Sequence, residues 1–254
     1  MTSYDQWCEP VRTTLVGSHT IGVLVSVDDA VGVGSIAADL PSRYAESASL
    51  SRIAERLGKP QVSEFLRKKF PQKPGARSGD LGEILASAYL EEDCGYVVGP
   101  SRLIHRDHQD WAMRGDDVLG ARLDSGTRVL IVKGEAKSRA QARASVVAEA
   151  RQSLQREEGL PSAHSLTQFA ERLLHTVDEE LGDAILQALL TEGVRPESVT
   201  HLMFLFAGND PSNHVVADLA GYSGEILQRA VILRVQGHQE FIRAAFEQAI
   251  ANGA

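Results

Sequence analysis

The chain contains two types of hydrophobic pattern, short β-branched runs that predict strands and apolar spacings of three and four that predict helices. RTTLVG and TIGVLVSV are short β-branched runs followed by VGVGSIAADL, so residues 11–40 are predicted to be rich in β-structure. Apolar spacings of three and four in ESASLSRIAERLG and QVSEFLRKKF then predict two helices. PQKPGARSG, residues 71–79, is rich in Pro, Gly and basic residues and predicts a break. We therefore divide the chain into an N-terminal β/α region, residues 1–74, and a core, residues 75–254.

The core begins with a predicted helix, DLGEILASAYLEEDCG, in which Asp80 is the expected N-cap and Gly95 the expected stop. A strand, YVVGPSRLI, and a hairpin follow it. Helices, the apolar strand SVTHLMFLFAG, the strand QRAVILRV and a final helix over residues 238–251 complete the order. A nearly continuous apolar strand suits the middle of a sheet covered on both faces. The pattern predicts an α/β (mixed α+β) fold with a central sheet flanked by helices.

The hairpin, GDDVLGARLDSGTRVLIVKGEAKSR, carries acidic and basic residues at one end of an apolar stem. A turn centred on residues 125–127 pairs Leu123 with Val129 and Asp117 with Glu135. Directly opposed side chains lie about 4.5–5.5 Å apart at Cβ. Alternation along the second strand places Lys137 on the same face as Glu135. A slip of one residue would bring Asp116 opposite Glu135 instead, so the choice between the two aspartates stays open.

Two carboxylates at such a separation repel each other unless a positive charge lies between them. Mg²⁺ takes carboxylate oxygens and keeps waters for a substrate that bears phosphate. Lys137 could position or activate a metal-bound water, or stabilise charge that develops on phosphate. The pattern therefore suits phosphodiester hydrolysis. A surface hairpin with solvated charge pairs is the alternative, and the combination of Gly-x-Asp, Glu-x-Lys and an apolar stem favours the functional interpretation.

GDD followed by VKGEAK resembles the PD-(D/E)xK nuclease superfamily, and the helix DLGEILASAYL carries a matching Glu83. More narrowly, the spacing from GEILASAYL through RGDDVLG to IVKGEAKS is similar to the HamA family of the bacterial Hachiman anti-phage system, over roughly residues 75–235. The resemblance implies a PD-(D/E)xK restriction-endonuclease-like core that binds Mg²⁺ or Mn²⁺. It implies these roles: Asp117 and Glu135 as metal ligands, Lys137 as the catalytic lysine, Glu83 as a further ligand or water-positioning group, and Asp116 as an auxiliary ligand. Gly115-Asp116-Asp117 stands where the superfamily usually has Pro-Asp.

The same resemblance implies two partners: DNA, and a DNA helicase subunit similar to HamB that forms a hetero-complex and holds the nuclease in check. The formal net charge of −8 argues against a chain that captures nucleic acid alone over a broad basic surface. No apolar run approaches the ~20 residues of a membrane span, and the N-terminus lacks a signal-peptide pattern. We expect a cytoplasmic protein with no membrane partner.

Two other functions compete with a defence nuclease. One is a restriction-type or repair endonuclease with sequence or structure specificity, and the other is a non-catalytic scaffold with a nuclease-like fold.

Two further motifs occur in the sequence. His-Arg-Asp in HRDHQDWAMR is also found in protein kinases, but Ala112 occupies the place of the required Asn, and no glycine-rich loop accompanies it. His105 and His108 are therefore interpreted as polar loop residues. The basic run RKKFPQKPGAR is interpreted as solvated, with phosphate contact as the alternative.

Overall fold

One seven-stranded sheet forms the centre of the protein. The computed structural model describes residues 2, 4–99, 103–104, 115–124, 128–191 and 193–253. The strands are β1 (Arg12–Val16), β2 (His19–Val25), β3 (Val97–Gly99), β4 (Val118–Leu123), β5 (Val129–Arg139), β6 (Val199–Ala207) and β7 (Leu227–Arg234). Their order in the sheet is β1-β2-β7-β6-β5-β4-β3. The pairs β2–β7, β7–β6 and β6–β5 are parallel, and β1, β4 and β3 are antiparallel to their neighbours.

Helices cover both faces of this sheet. They are α1 (Asp29–Tyr44), α2 (Ser47–Leu57), α3 (Lys59–Lys69), α4 (Pro74–Glu92), α5 (Ala144–Leu154), α6 (Ala163–Leu173), α7 (Glu179–Thr191), α8 (Ser212–Ala220) and α9 (His238–Asn252). In β6, Phe204 and Phe206 pack into the core formed with α1, α4 and α9, whereas Leu205 packs into the core formed with α5 and α8. The predicted α/β class and the central position of this apolar strand are confirmed.

The predicted β-rich opening is correct for β1 and β2 and wrong for VGVGSIAADL, which lies in α1. Asp28 caps this helix, because its Oδ1 accepts hydrogen bonds from the N–H groups of Ala30 and Val31 at 2.9 and 3.1 Å. A Cβ on Gly32 would lie 2.6 Å from the buried ring of Trp7. The glycine therefore permits close helix packing, although its presence hides the helical pattern in the sequence.

The helix that carries Glu83 begins six residues before the predicted cap. Pro74 is its first residue, a position at which proline loses no helical hydrogen bond. Asp80 is inside α4 and buried, and its Oδ2 accepts a hydrogen bond of 2.6 Å from the Tyr44 hydroxyl. The predicted N-cap is therefore wrong, and Asp80 instead links α4 to α1.

The first 74 residues share the sheet and a core cluster with the rest of the chain. β2 pairs with β7, and Trp7 and Ile36 belong to the same buried cluster as Phe241 and Leu81. The division of the chain at residues 74 and 75 stays a prediction. Within the described part of the chain, no helix has the length and apolar character that crossing a bilayer requires.

We predict that Gly99→Ala lowers the free energy of unfolding by about 1–3 kcal/mol, because the added methyl group overpacks the core. An ideal Cβ at Gly99 would lie 2.5 Å from Cδ2 of Phe169, which is almost fully buried. Urea denaturation provides the measurement. Gly75→Ala in α4 is the matched control, since its Cβ meets no atom within 4 Å. Equal stabilities of the two variants would contradict this packing.

Candidate active site

The hairpin of β4 and β5 has the predicted register. Leu123 pairs with Val129 and Ala121 with Ile131. The same register, continued beyond the last ladder pair, sets Asp117 opposite Glu135. The predicted turn, residues 125–127, lies outside the described residues. Because side chains alternate along a strand, Glu135 and Lys137 lie on one face of β5.

Three predicted site residues meet at the end of this hairpin. Lys137 Nζ donates a hydrogen bond to Glu135 Oε1 at 2.6 Å. The Asp117 carboxyl group is also in hydrogen-bonding contact with the Glu135 carboxyl group. The side chains of Glu135 and Lys137 are only 11% and 19% exposed. The chain therefore brings two carboxyl groups and an ammonium group together in a mostly buried position.

Burial and the nearby charge of Asp117 raise the pKa of Glu135 to about 7, although Lys137 opposes this shift. Near neutral pH Glu135 is thus only partly ionised, even with the lysine in contact. A divalent cation that took oxygens of both carboxyl groups would favour their ionised forms and displace that proton. The electrostatics of this pair consequently fit a cation-binding position.

The number of acidic ligands sets the kind of metal site that is feasible. Over residues 2, 4–99, 103–104, 115–124, 128–191 and 193–253, no group of three or more His, Cys, Asp or Glu side chains is arranged to hold a metal ion. Mg²⁺ commonly binds through one or two carboxylates together with waters and substrate phosphates. Asp117 and Glu135 therefore fit a metal ion that shares its coordination with the substrate, and not a closed structural site.

Glu83 faces a cleft next to this cluster. A cavity of about 310 Å³ lies between α4, α1 and β3, and both Glu83 and Asp117 line it. Arg43 in the same wall is held by Asp39 at 2.6 Å and by Glu91 at 2.7 Å. Burial disfavours the charged form of this arginine, but the two carboxylates outweigh that effect and raise its pKa. The structure thus brings Glu83 to the same cleft as Asp117.

Asp116 contacts other residues than Asp117 does. Its Oδ2 accepts a hydrogen bond of 2.9 Å from the Ser162 N–H, and its Oδ1 lies 3.7 Å from Lys133 Nζ. Gly115 precedes it with φ of +115°, and a Cβ there would lie 2.8 Å from Ser165 Oγ. That conformation excludes proline at residue 115. Of the two aspartates, Asp117 is the one in contact with Glu135.

Lys133 is a site residue that the sequence interpretation missed. It precedes Glu135 by two residues on the same face of β5, and only 3% of its side chain is exposed. Its Nζ donates to the carbonyl oxygens of Arg156 and Leu160 at 2.7 and 2.8 Å. Burial lowers the pKa of this lysine, and the Asp116 carboxylate opposes that shift. The alternation Lys-x-Glu-x-Lys in an apolar strand was the available signal.

The two histidines and the basic run considered in the sequence lie outside the described part of the chain or away from the cluster. His105 and His108 fall in residues 105–114, which lie outside the described residues. In the basic run, Arg67 and Lys68 are exposed at the end of α3, whereas Arg77 Nε donates to the Pro71 carbonyl oxygen at 2.7 Å. Phosphate contact by this run stays the alternative to the solvated interpretation.

Fold and site together define an α/β protein with an acid–acid–lysine cluster at the open end of a central hairpin. The sequence model of the HamA family matches residues 26–249. The Hachiman protein HamA of Bacillus cereus is 27% identical over 183 residues, which make up 72% of this chain and 64% of that protein. The match therefore spans less than two thirds of that relative's length. The chain belongs to the HamA family, and the family match includes α1–α3 as well as the core.

We predict that Glu135→Gln becomes progressively more stable than the wild type as pH rises from 5 to 8. The folded protein retains the Glu135 proton up to a pKa of about 7, against 4.5 for an ordinary glutamate, so the wild type loses stability through this interval. The glutamine does not titrate, and the difference is expected to grow by up to about 3 kcal/mol. Urea denaturation in EDTA at several pH values measures it. Parallel pH profiles for the two proteins would contradict the assignment.

Proposed function

We propose that this protein is a metal-dependent deoxyribonuclease of the Hachiman anti-phage defence system that works with a helicase partner. The contact of Asp117 with Glu135, with Lys137 bound to the same carboxylate, carries the proposal. The family membership and the printed name of the Bacillus cereus relative support a role in Hachiman defence. The order α4, β3, β4, β5, α5, β6 is compatible with a PD-(D/E)xK core.

Each residue of the cluster has a distinct role in the proposed reaction. Asp117 and Glu135 would hold Mg²⁺ or Mn²⁺, and Glu83 on the cleft wall would supply a further oxygen or orient a water. The metal ion would supply a water of lowered pKa and neutralise charge on phosphate. Lys137 keeps its ammonium group 2.6 Å from Glu135 Oε1. In that position it can donate a hydrogen bond to the attacking water or to a phosphate oxygen.

The charge balance supports a division of labour between the nuclease and a partner. The chain has a formal net charge of −8. Among the described residues that line the cleft beside the cluster, Asp39, Glu83, Glu91 and Asp117 are acidic, and Arg43, which is paired, is basic. Such a surface repels a polyanion over long range. A helicase of the HamB type that captures and delivers the DNA would overcome this repulsion, and it could also control access to the cleft.

We predict that the purified protein cleaves DNA in Mg²⁺ or Mn²⁺ and that EDTA abolishes cleavage. Lys137→Met and Glu135→Gln are each expected to lower the rate at least about 100-fold, because each removes a group that acts on the reacting phosphate or its metal ion. Rates on plasmid and linear DNA, with single- and double-stranded substrates, provide the measurement.

Glu240→Gln is the matched control for these substitutions. It makes the same change in an exposed glutamate that is paired with Arg243 on α9, away from the cluster, and should retain the wild-type rate. Cleavage that persists in EDTA and in both site variants would overturn the site. Cleavage at one defined sequence would favour a restriction-type enzyme, and a folded protein without activity under all conditions would favour a scaffold.

The helicase partner is expected to suppress cleavage when it is bound and not engaged on DNA. Titrating the purified partner into the cleavage reaction without ATP should lower the rate at least tenfold near equimolar ratio, because the partner would block the route to the cleft. A constant rate across the titration, with complex formation verified by size-exclusion chromatography, would contradict this regulation while leaving the nuclease assignment in place.

A further inference from the structure

The connection between α5 and α6 is fixed to the sheet by side chains from neighbouring strands. Lys133 of β5 donates to the carbonyl oxygens of Arg156 and Leu160. His201 of β6 is the register partner of Lys133, and its Nε2 lies 2.7 Å from the Gly159 carbonyl oxygen. Both side chains are almost fully buried. Three carbonyl groups of one short segment thus turn inward to two buried donors.

The backbone of this segment has an unfavourable conformation. Glu157 and Glu158 have φ of 55° and 56°, and Gly159 continues the left-handed run with φ of 82°. Non-glycine residues adopt this region when surrounding contacts enforce it. A Cβ at Gly159 would lie 2.9 Å from Ile226 Cδ1. The inward carbonyl contacts of Lys133 and His201 therefore keep a turn that the chain alone would not favour.

Asp116 joins the same segment to the start of β4. Its carboxylate accepts from the Ser162 N–H and faces Lys133, and it is 9% exposed. Asp117 follows directly, just before the first ladder pair of β4, which is Val118 with Gly134. Asp117 therefore lies just outside the β4–β5 hydrogen-bonded ladder, and the contacts of Asp116 anchor its backbone instead.

We propose that Asp116 and Lys133 are positioning residues that hold Asp117 and Glu135 face to face. Asp117 and Glu135 repel each other when both are ionised. Asp117 directly follows Asp116, and Glu135 lies two residues after Lys133 on the same face of β5. The Asp116–Lys133 pair fixes residues 156–162 against the sheet. It thereby keeps the backbone of Asp117 from moving away from Glu135 and preserves the two-carboxylate site before a cation binds. The inference rests on the proposed function, because it concerns the metal-binding geometry of the same cluster.

Isothermal titration calorimetry of Mn²⁺ into the full chain tests this role without any cleavage reaction. Lys133→Met is expected to weaken Mn²⁺ binding by about 10- to 100-fold, the usual effect of losing an outer support of a metal ligand. Asp116→Asn keeps the size of the side chain and is expected to weaken binding in the same direction. Hydrogen exchange of the amides in residues 156–162 should become faster in Lys133→Met.

Arg128→Met is the matched control. Arg128 lies on the same hairpin and also donates to a loop carbonyl, that of Glu197 at 2.8 Å, but has no contact with the cluster. Its Mn²⁺ affinity should stay within about threefold of wild type. A purely structural role for Lys133 and Asp116 would lower the melting temperature and leave the Mn²⁺ affinity of the folded variants at the wild-type value, and that result overturns the proposal.

Asp117→Asn separates this inference from the proposed function. If the wild type and Asp117→Asn bind Mn²⁺ equally, the metal site itself is misassigned, and the positioning role of Asp116 and Lys133 is overturned as well. If Asp117→Asn loses binding while Lys133→Met and Asp116→Asn bind like the wild type, the metal site stands and only the positioning role is overturned.

Discussion

The contact between the carboxyl groups of Asp117 and Glu135 is the constraint around which the rest of the site is arranged. Two acids in one mostly buried position are unfavourable, because burial and like charge both oppose ionisation. The raised pKa of Glu135 expresses that cost. The fold tolerates this free-energy cost because an apolar stem fixes the β4–β5 register. In that stem, Ala121 and Ile131 are almost fully buried. A one-residue slip would move every one of these side chains to the other face.

Three lysine or arginine side chains near the cluster contact different partners. Lys137 reaches Glu135 directly, Lys133 binds Asp116 and the α5–α6 connection, and Arg43 is held by Asp39 and Glu91. Of these three cationic groups, all in the described part of the chain, the ammonium group of Lys137 is the one in contact with Glu135. Under the proposed function, the distribution of positive charge would therefore separate a chemical role for Lys137 from supporting roles for Lys133 and Arg43.

The sequence was sufficient for features that depend on local periodicity. The hairpin register, the apolar β6 and the last helix follow from alternation of period 2 or 3.6, and the structure has all three. α1 was missed because Gly32, required by the Trp7 ring, interrupts its apolar pattern. The short α8 was not predicted at all. Asp116 and Asp117 could not be told apart, because Ser162 and Lys133, which bind Asp116, lie far along the chain or on the next strand.

Under the proposed function, the acidity of the cleft explains why a cation would be needed before a phosphate can bind there. A phosphate that enters the cleft between α4 and β3 meets Glu83 and Asp117 in the wall, while Arg43 is occupied by its two carboxylates. Repulsion by those acids disfavours phosphate until positive charge is added at Asp117 and Glu135. If the proposed function holds, binding of DNA near the cluster and binding of a divalent cation would therefore be thermodynamically linked, each favouring the other. Under the proposed function, the protein would be inert toward DNA without a divalent cation, and delivery of the strand by a partner would add to the effect of the cation.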